Sequence, residues 1–391
     1  MAEATTQRNN LHTWFPHAHH PIIISAPMLG TSNGTLAAEV SKAGGIGIVP
    51  GGFNFAPSSP HLPALARKLA AARAVLGLPP LPSSPSSSSS SSNPTPLPVG
   101  VGFILCHASF ASHFLATALP LLLLHRPRAV WLFAPRPEEL LEEEDNGSAV
   151  RRVVAVLRSE GFVVLMQVGS VAGARRAVED GVQVVVVQGV DAGGHQFSAP
   201  CSSSSSGDGG AAAGGAGVVS LVPEVRDMVE REFAGREVVV VAAGGIVDGR
   251  GVAAALALGA EAVVMGTRFI AAEEAWTPDW RKKLILEATD GGPATVKTPV
   301  LDDIQGTAIW PSIYDGRALR GKSWQDHAAG MPLEENIRLF KEADKAGDVS
   351  RKITWVGTGV GLVREVRRAG DIVREAREDA IRRIKRLHAG L

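Results

Sequence analysis

Two valine runs constrain this chain more than any other feature: Val182–Gln188 reads VQVVVVQ, and Glu237–Ala242 reads EVVVVA. A strand with one wet face alternates apolar and polar residues, whereas an unbroken apolar run suits a strand covered on both faces, as in a parallel sheet wrapped by helices. Six further short runs bring the total to eight: Ile22–Ser25, Gly45–Val49, Val99–Ile104, Ala129–Phe133, Phe162–Gln167 and Glu261–Met265. Helix-like segments lie between them, at Leu36–Ala43, Leu62–Leu76, Phe110–Leu124, Ala149–Ser159, Val171–Asp180, Pro223–Phe233 and Gly251–Leu258. Strand followed by helix, repeated eight times, is the count of a TIM-type (β/α)₈ barrel, although a doubly wound open sheet shares the alternation.

The 391 residues suffice for two average domains, but a barrel with insertions also reaches this length, and one domain over 1–391 is expected. Two low-complexity tracts, residues 83–93 and 201–217, are too poor in apolar side chains to offset the entropy of ordering and are expected as flexible surface insertions. Beyond the eighth strand, Trp276–Asp344 has mixed polarity and Ile353–Val363 is apolar. A charged helix, Asp371–His388, then sets Ile372, Ala376, Ala380, Ile384 and Leu387 near one face and is expected to pack on the surface as a C-terminal extension.

Lys plus Arg and Asp plus Glu number 39 each, so no net field draws the chain to nucleic acid or an acidic membrane, and a small-molecule partner is the expectation. Cys106 and Cys201 form neither a CxxC pair nor a disulfide framework, which fits a reducing compartment. The N-terminus lacks a basic region followed by an apolar stretch, and the leucine run Leu115–Leu124 is too short to span a bilayer, so a cytoplasmic protein is expected.

Chemistry concentrates at strand ends. Val241–Arg250, VAAGGIVDGR, puts Gly244 and Gly245 between a strand and a helix, where a missing Cβ lets backbone amides approach an anion. The next unit, AVVMGTR, ends its strand at Gly266 and Thr267. These are the seventh and eighth strands, where barrels build a phosphate site, and the agreement favours the barrel over the open sheet. The sixth strand runs into QGVDAGGH, whose Gly193 and Gly194 leave room for a flat ring beside His195. An imidazole there can accept or donate a proton near neutral pH, and its position at the active face of a barrel favours catalysis over loop capping. Ile24–Gly30, ISAPMLG, sets Ala26, Pro27 and Met28 in a stiff turn after the first strand.

Three patterns are set aside. His12, His17, His19 and His20 lack an acidic or thiol partner, and this segment is expected to be mobile or packed on the surface. Gly357, Gly359 and Gly361 form GxGxG without the context of a dinucleotide fingerprint. Cys106 has no basic partner that would activate a thiol.

Together, APM after the first strand, QGVDAGGH after the sixth, AAGGIVDGR after the seventh and MGTRF after the eighth resemble nitronate monooxygenases, formerly called 2-nitropropane dioxygenases. TWVGTGVGLV near Trp355 is similar to that family's C-terminal flavin-side segment. Asp191 stands where many members have Glu, and Val101-Gly102-Phe103-Ile104 where some carry Asn. The resemblance implies non-covalent FMN, with its phosphate on Gly244, Gly245, Gly266 and Thr267 and its ring over Ala26, Pro27 and Met28. It further implies Gln188 against the ring or ribityl chain, Gly193 and Gly194 beside it, and His195 facing a small nitro compound or nitronate that reacts with O2. A related enoyl-thioester or NADH:quinone reductase on the same barrel, or a flavin-binding protein without turnover, remains an alternative at this point.

Overall fold

The structure, a computed structural model, describes residues 10–81, 95–136, 148–198 and 215–390. Both low-complexity tracts fall outside them, except for residues 215–217. In chain order the strands are β1 (Ile22–Ser25), β2 (Gly47–Gly52), β3 (Leu97–Ile104), β4 (Pro127–Phe133), β5 (Val163–Val168), β6 (Val184–Gln188), β7 (Gly194–Phe197), β8 (Val239–Ala243), β9 (Ala262–Met265), β10 (Thr295–Thr298) and β11 (Tyr314–Leu319). Eight pair in parallel in the order β1-β9-β8-β6-β5-β4-β3-β2. A parallel bridge between Ile24 and Ile46 joins the last to the first, with the Ile46 amide donating to the Ile23 carbonyl at 2.9 Å. This is the expected barrel, closed on itself, which leaves no exposed sheet edge.

Alternation along each strand sorts its side chains between two cores. In β6, Val184 and Val186 point inward to meet Val239, Val241, Trp131 and Leu165, while Val185 and Val187 pack outward against the helices. Both faces are dry, which is why the runs contain so few polar residues.

The N-terminal segment departs from the expected mobile or surface-packed arrangement. Its short helix Asn10–Trp14 and the turn after it insert Leu11, Phe15 and Ala18, all essentially inaccessible, into the barrel's inner cluster. Leu11 comes from the helix and Phe15 and Ala18 from the turn that follows, and the open floor of a barrel rewards such a plug with about 1.5–3 kcal/mol per large side chain buried. The neighbouring histidines serve the backbone: His17 Nε2 lies 3.1 Å from the Gly45 carbonyl oxygen and His12 Nδ1 3.1 Å from that of Ala18. Among the described residues no cluster able to hold a metal ion occurs, and no helix is long and apolar enough to cross a membrane.

The closing helix, Ala369–Ala389, buries Ile372, Ala376 and Ala380 as expected, but Ile384 and Leu387 are exposed. At about 1.5 Å per residue the helix outruns the layer it packs on. Its buried Arg377 donates to the carbonyls of His19, Pro21, Ala43 and Gly44, clamping the seam where β1 and β2 have the thinnest ladder.

A second departure lies between β9 and this helix, where no strands were expected. Here β10 and β11 join β7 in a three-stranded antiparallel sheet in the order β10-β11-β7. Helices Asp279–Glu287, Val300–Gln305, Lys322–Ala328 and Leu333–Lys345 accompany it. The resulting cap has its own small core of Val296, Leu301, Ile304, Ala318, Phe340 and Ile353. Because β7 follows directly from the β6 end, the cap is stitched to the barrel at Gly194 and His195. The helix expected from Pro223 begins earlier, at Val218, and the Val190 amide donates to the Ala216 carbonyl at 3.1 Å, so the tract after His195 ends in ordered backbone.

Candidate active site

The C-terminal ends of the barrel strands and the underside of the cap enclose a cavity of about 780 Å³, within the usual range of small-molecule and cofactor sites. All eleven residues singled out in the sequence line it. After β1, the turn through Ala26, Pro27 and Met28 is pinned by the Ala26 amide donating to the Met265 carbonyl at 3.0 Å, and by Ser32 Oγ donating to the Ala26 carbonyl at 3.0 Å. Gly102 on β3 lets this turn close: a Cβ there would lie 2.5 Å from Pro27 Cβ. The glycine in the Val101–Ile104 segment thus has a packing role.

Across the cavity, Gly244 (φ 115°) and Gly245 (φ 70°) hold left-handed conformations that L side chains rarely adopt. Gly266 faces Ala26 and Met28, and the Thr267 hydroxyl accepts the Gly357 amide at 2.9 Å. The GxGxG segment, set aside as a dinucleotide fingerprint, therefore belongs to the site in another way. A Cβ on Gly357 would meet the Asp191 carbonyl oxygen at 2.4 Å, and one on Gly193 would meet the Val356 carbonyl carbon at 2.2 Å. These glycines let the segment Thr358–Leu362 and its approach lie backbone to backbone against the β6 and β8 ends.

His195 is held from three directions. Its Nε2 is 2.9 Å from both carboxylate oxygens of Asp302, a buried residue of helix Val300–Gln305 that also accepts from Thr307 Oγ1 at 2.7 Å. Trp310 stacks on the ring with centroids 3.8 Å apart at 12°, and Trp355 leans on it at 4.7 Å. Gln188 Nε2 donates to the His195 carbonyl at 3.2 Å. An ionised carboxylate only accepts, so the Nε2 proton goes to Asp302 and Nδ1 is the basic nitrogen, with no hydrogen bond among the described residues. The sequence reading missed Asp302 and Trp310, and it placed Trp355 in a flavin-side segment without its contact to His195. Asp302 is 107 residues from His195 and resembles any acidic residue in a first helical turn.

Cys106 is buried and its thiol is pushed up to about 11 by that burial, which leaves it inert at neutral pH. The Tyr314 hydroxyl, likewise raised by burial, donates to the Pro135 carbonyl at 2.8 Å and acts as a structural strut.

A closed parallel barrel with its cavity at the C-terminal strand ends, glycines at the β8 and β9 ends, and a carboxylate-held histidine defines a (β/α)₈-barrel enzyme. Residues 145–379 match the family described as nitronate monooxygenase. A nitronate monooxygenase of Neurospora crassa is 53% identical over 381 residues, covering 97% of this chain and 94% of that protein. Among solved structures, a nitroalkane oxidase from Streptomyces ansochromogenes superposes with a TM-score of 0.68 at 26% identity, covering 96% of this chain and 99% of that one. FabK from Thermotoga maritima superposes with a TM-score of 0.67 at 25% identity, covering 99% and 100%. The chain belongs to the nitronate monooxygenase family, which is a family of flavin-dependent oxidoreductases.

Two features of the cavity wall fit a flavin. Gln188 Oε1 is buried with no hydrogen-bond partner, an acceptor facing a missing donor. The glycine-bearing ends of β8 and β9 leave backbone exposed where Cβ atoms would otherwise stand.

Proposed function

We propose that this protein oxidises alkyl nitronates, and neutral nitroalkanes after deprotonation, with FMN and O2, yielding a carbonyl compound and nitrite. The observation that carries this reading is the Asp302–His195 pair at 2.9 Å in the wall of a cavity with a glycine-rich end. Gly244, Gly245, Gly266 and Thr267 would hold the FMN phosphate, the Ala26–Met28 turn would underlie the ring, and Gln188 with Gly193 and Gly194 would border it. When bound, the flavin supplies the capacity to accept electrons from the substrate and pass them to oxygen.

The chain's own contribution is position and proton transfer. Asp302 fixes the imidazole tautomer so that Nδ1 is free to take the α-proton of a nitroalkane. For a preformed nitronate no proton need move, and the same nitrogen, once protonated, donates a hydrogen bond to a nitro oxygen. Trp310 stacks on the imidazole and Trp355 leans on it, which holds the ring in place for both interactions.

Oxygen uptake and nitrite release on a panel of alkyl nitronates, propionate-3-nitronate included, test the proposal. Turnover without NADH is expected. Anaerobic bleaching of the flavin by NADH, with no nitronate-dependent oxygen uptake, would replace it by a reductase reading.

A further inference from the structure

Arg281 is a cation in the cavity wall without a counter-charge. It sits in helix Asp279–Glu287 and lines the cavity, and its Nε is buried with no hydrogen-bond partner. Among the described residues no carboxylate pairs with it, and its guanidinium carbon lies 5.1 Å from the centroid of the Trp280 ring. The cavity's other charged side chains are satisfied, Asp344 by Lys352 and His195 by Asp302. Burial alone lowers the Arg281 pKa, with no acidic neighbour opposing it. A guanidinium whose Nε is buried without a partner is costly, and its persistence in a cavity wall points to an anion that completes it.

The position of the helix says which anion. Ile285, one turn beyond Arg281, packs in a cluster with Val247, Ile270 and Val360, and Met28 borders that cluster. Val247 follows Gly244-Gly245 closely and Ile270 follows Gly266-Thr267, so the helix lies over the glycine-bearing ends of β8 and β9 rather than over the aromatic wall around His195. Those ends offer only neutral donors: backbone amides and one hydroxyl. A phosphate dianion held there has no formal counter-charge until a guanidinium supplies it with paired N–H donors.

We infer that Arg281 is the phosphate-binding cation of the flavin site, and that it makes the protein select a flavin bearing a terminal phosphomonoester over riboflavin. The assignment rests on the flavin reading above and adds to it a residue and a selectivity.

The test is fluorescence titration of flavin-stripped, full-length protein with FMN and with riboflavin, for wild type, Arg281→Gln and Arg281→Lys. Wild type is expected to bind FMN more tightly than riboflavin, with FMN affinity falling as salt rises. Arg281→Gln is expected to lose about 10- to 100-fold in FMN affinity, to bind riboflavin as wild type does, and to melt, flavin-free, no lower than wild type, because an unpaired buried charge has been removed. Arg281→Lys falls between. Unchanged FMN affinity in Arg281→Gln, or an equal loss for both flavins, overturns the assignment. So does an effect confined to KM for a nitronate, which would make Arg281 a substrate contact. If Arg281→Gln does not fold, the wild-type preference and its salt dependence decide: equal affinity for both flavins overturns the assignment while sparing the flavin reading. Binding of neither flavin by wild type removes the flavin reading, and the assignment with it.

Discussion

The eight barrel strands are nearly free of polar residues, whereas each strand of the cap carries them throughout: GHQF in β7, TVKT in β10 and YDGRAL in β11. The barrel draws stability from two dry faces per strand. The cap relies on a small core and on polar ties, among them the buried pair of Lys297 with Asp315, at 2.7 Å, and Arg317, which donates to the Val190 carbonyl and the Thr295 hydroxyl. The barrel positions the glycine-bearing strand ends, and the cap positions everything that touches the His195 ring. Damage to the part of the cap around His195 (Asp302, Trp310 and Trp355) should therefore alter proton transfer while leaving flavin binding largely intact, and damage to the glycine ends, or to Arg281 above them, should do the reverse.

The largest effect is expected at the junction of the two. His195→Asn should slow turnover of a neutral nitroalkane by on the order of 10²–10⁴, the worth of a positioned base, and slow a preformed nitronate much less, with FMN still bound. Stopped-flow reduction with the two forms of one substrate measures the split. Equal losses would make His195 chiefly a binding group for the nitro oxygens, and no loss would remove it from the chemistry.

Next come two stability changes of similar size in different places. Phe15→Ala empties the barrel floor and should cost about 3–5 kcal/mol of global stability. Asp315→Asn strands Lys297 and should cost a similar amount, about 3–5 kcal/mol, but through opening of the cap, seen as faster native-state proteolysis within residues 276–363. If both variants lower the global melt equally and neither sensitises the cap, barrel and cap form one cooperative unit and the contrast between them fails.

This division also explains what could be read from the sequence. Helix Ala149–Ser159 and strand β1 were legible to the residue, and the ends of the other barrel strands to within three residues, because burial on two faces forces composition as well as pattern. That the eleven residues singled out in the sequence would gather at the strand ends was legible from the glycines after β6, β8 and β9 and from the motifs that resemble the family's, and all eleven line one cavity. The cap was not legible: strands of four to six residues with polar side chains in each have no period to detect. Arg281 lies in DWRKKLILE, which reads as a charged surface helix until its Nε is found buried. The N-terminal plug was missed for the opposite reason, since the histidines around Leu11, Phe15 and Ala18 drew attention from the apolar spacing that fixes the segment.

Asp302→Asn probes the cap's contribution directly and more gently. Asparagine keeps an acceptor within reach of Nε2 but carries no charge, so nitroalkane turnover should fall about 10- to 100-fold, the usual cost of losing an orienting partner. KM and FMN affinity should change little, and Asp302→Glu should restore part of the loss if the carboxylate is what matters. A loss that appears in KM alone, or equally with a preformed nitronate, would make Asp302 a structural residue of helix Val300–Gln305.

The smallest effect is a pH dependence of stability that belongs to the barrel. His17 and His20 at its floor, His61 opening helix His61–Val75 and His125 closing helix Phe110–His125 all have pKa values held below the ordinary 6.5, in each case mainly by burial. Arg73 adds to the effect at His125, and Lys68 at His61. In the unfolded chain these rings take up protons as pH falls through 6.5; in the folded protein they do so only at lower pH. The unfolded state thus binds more protons across that interval, and stability must fall as pH drops from neutrality through 6.5 toward the folded values. Thermal melts at pH 7.5, 6.5 and 5.5 should show a falling midpoint. His125→Leu, which replaces a buried ring whose Nδ1 has no partner, should flatten that slope without lowering the midpoint at pH 7.5 by the same amount. A midpoint that rises on acidification, or a slope unchanged in His125→Leu, would show that these buried rings do not set the acid limit of the barrel.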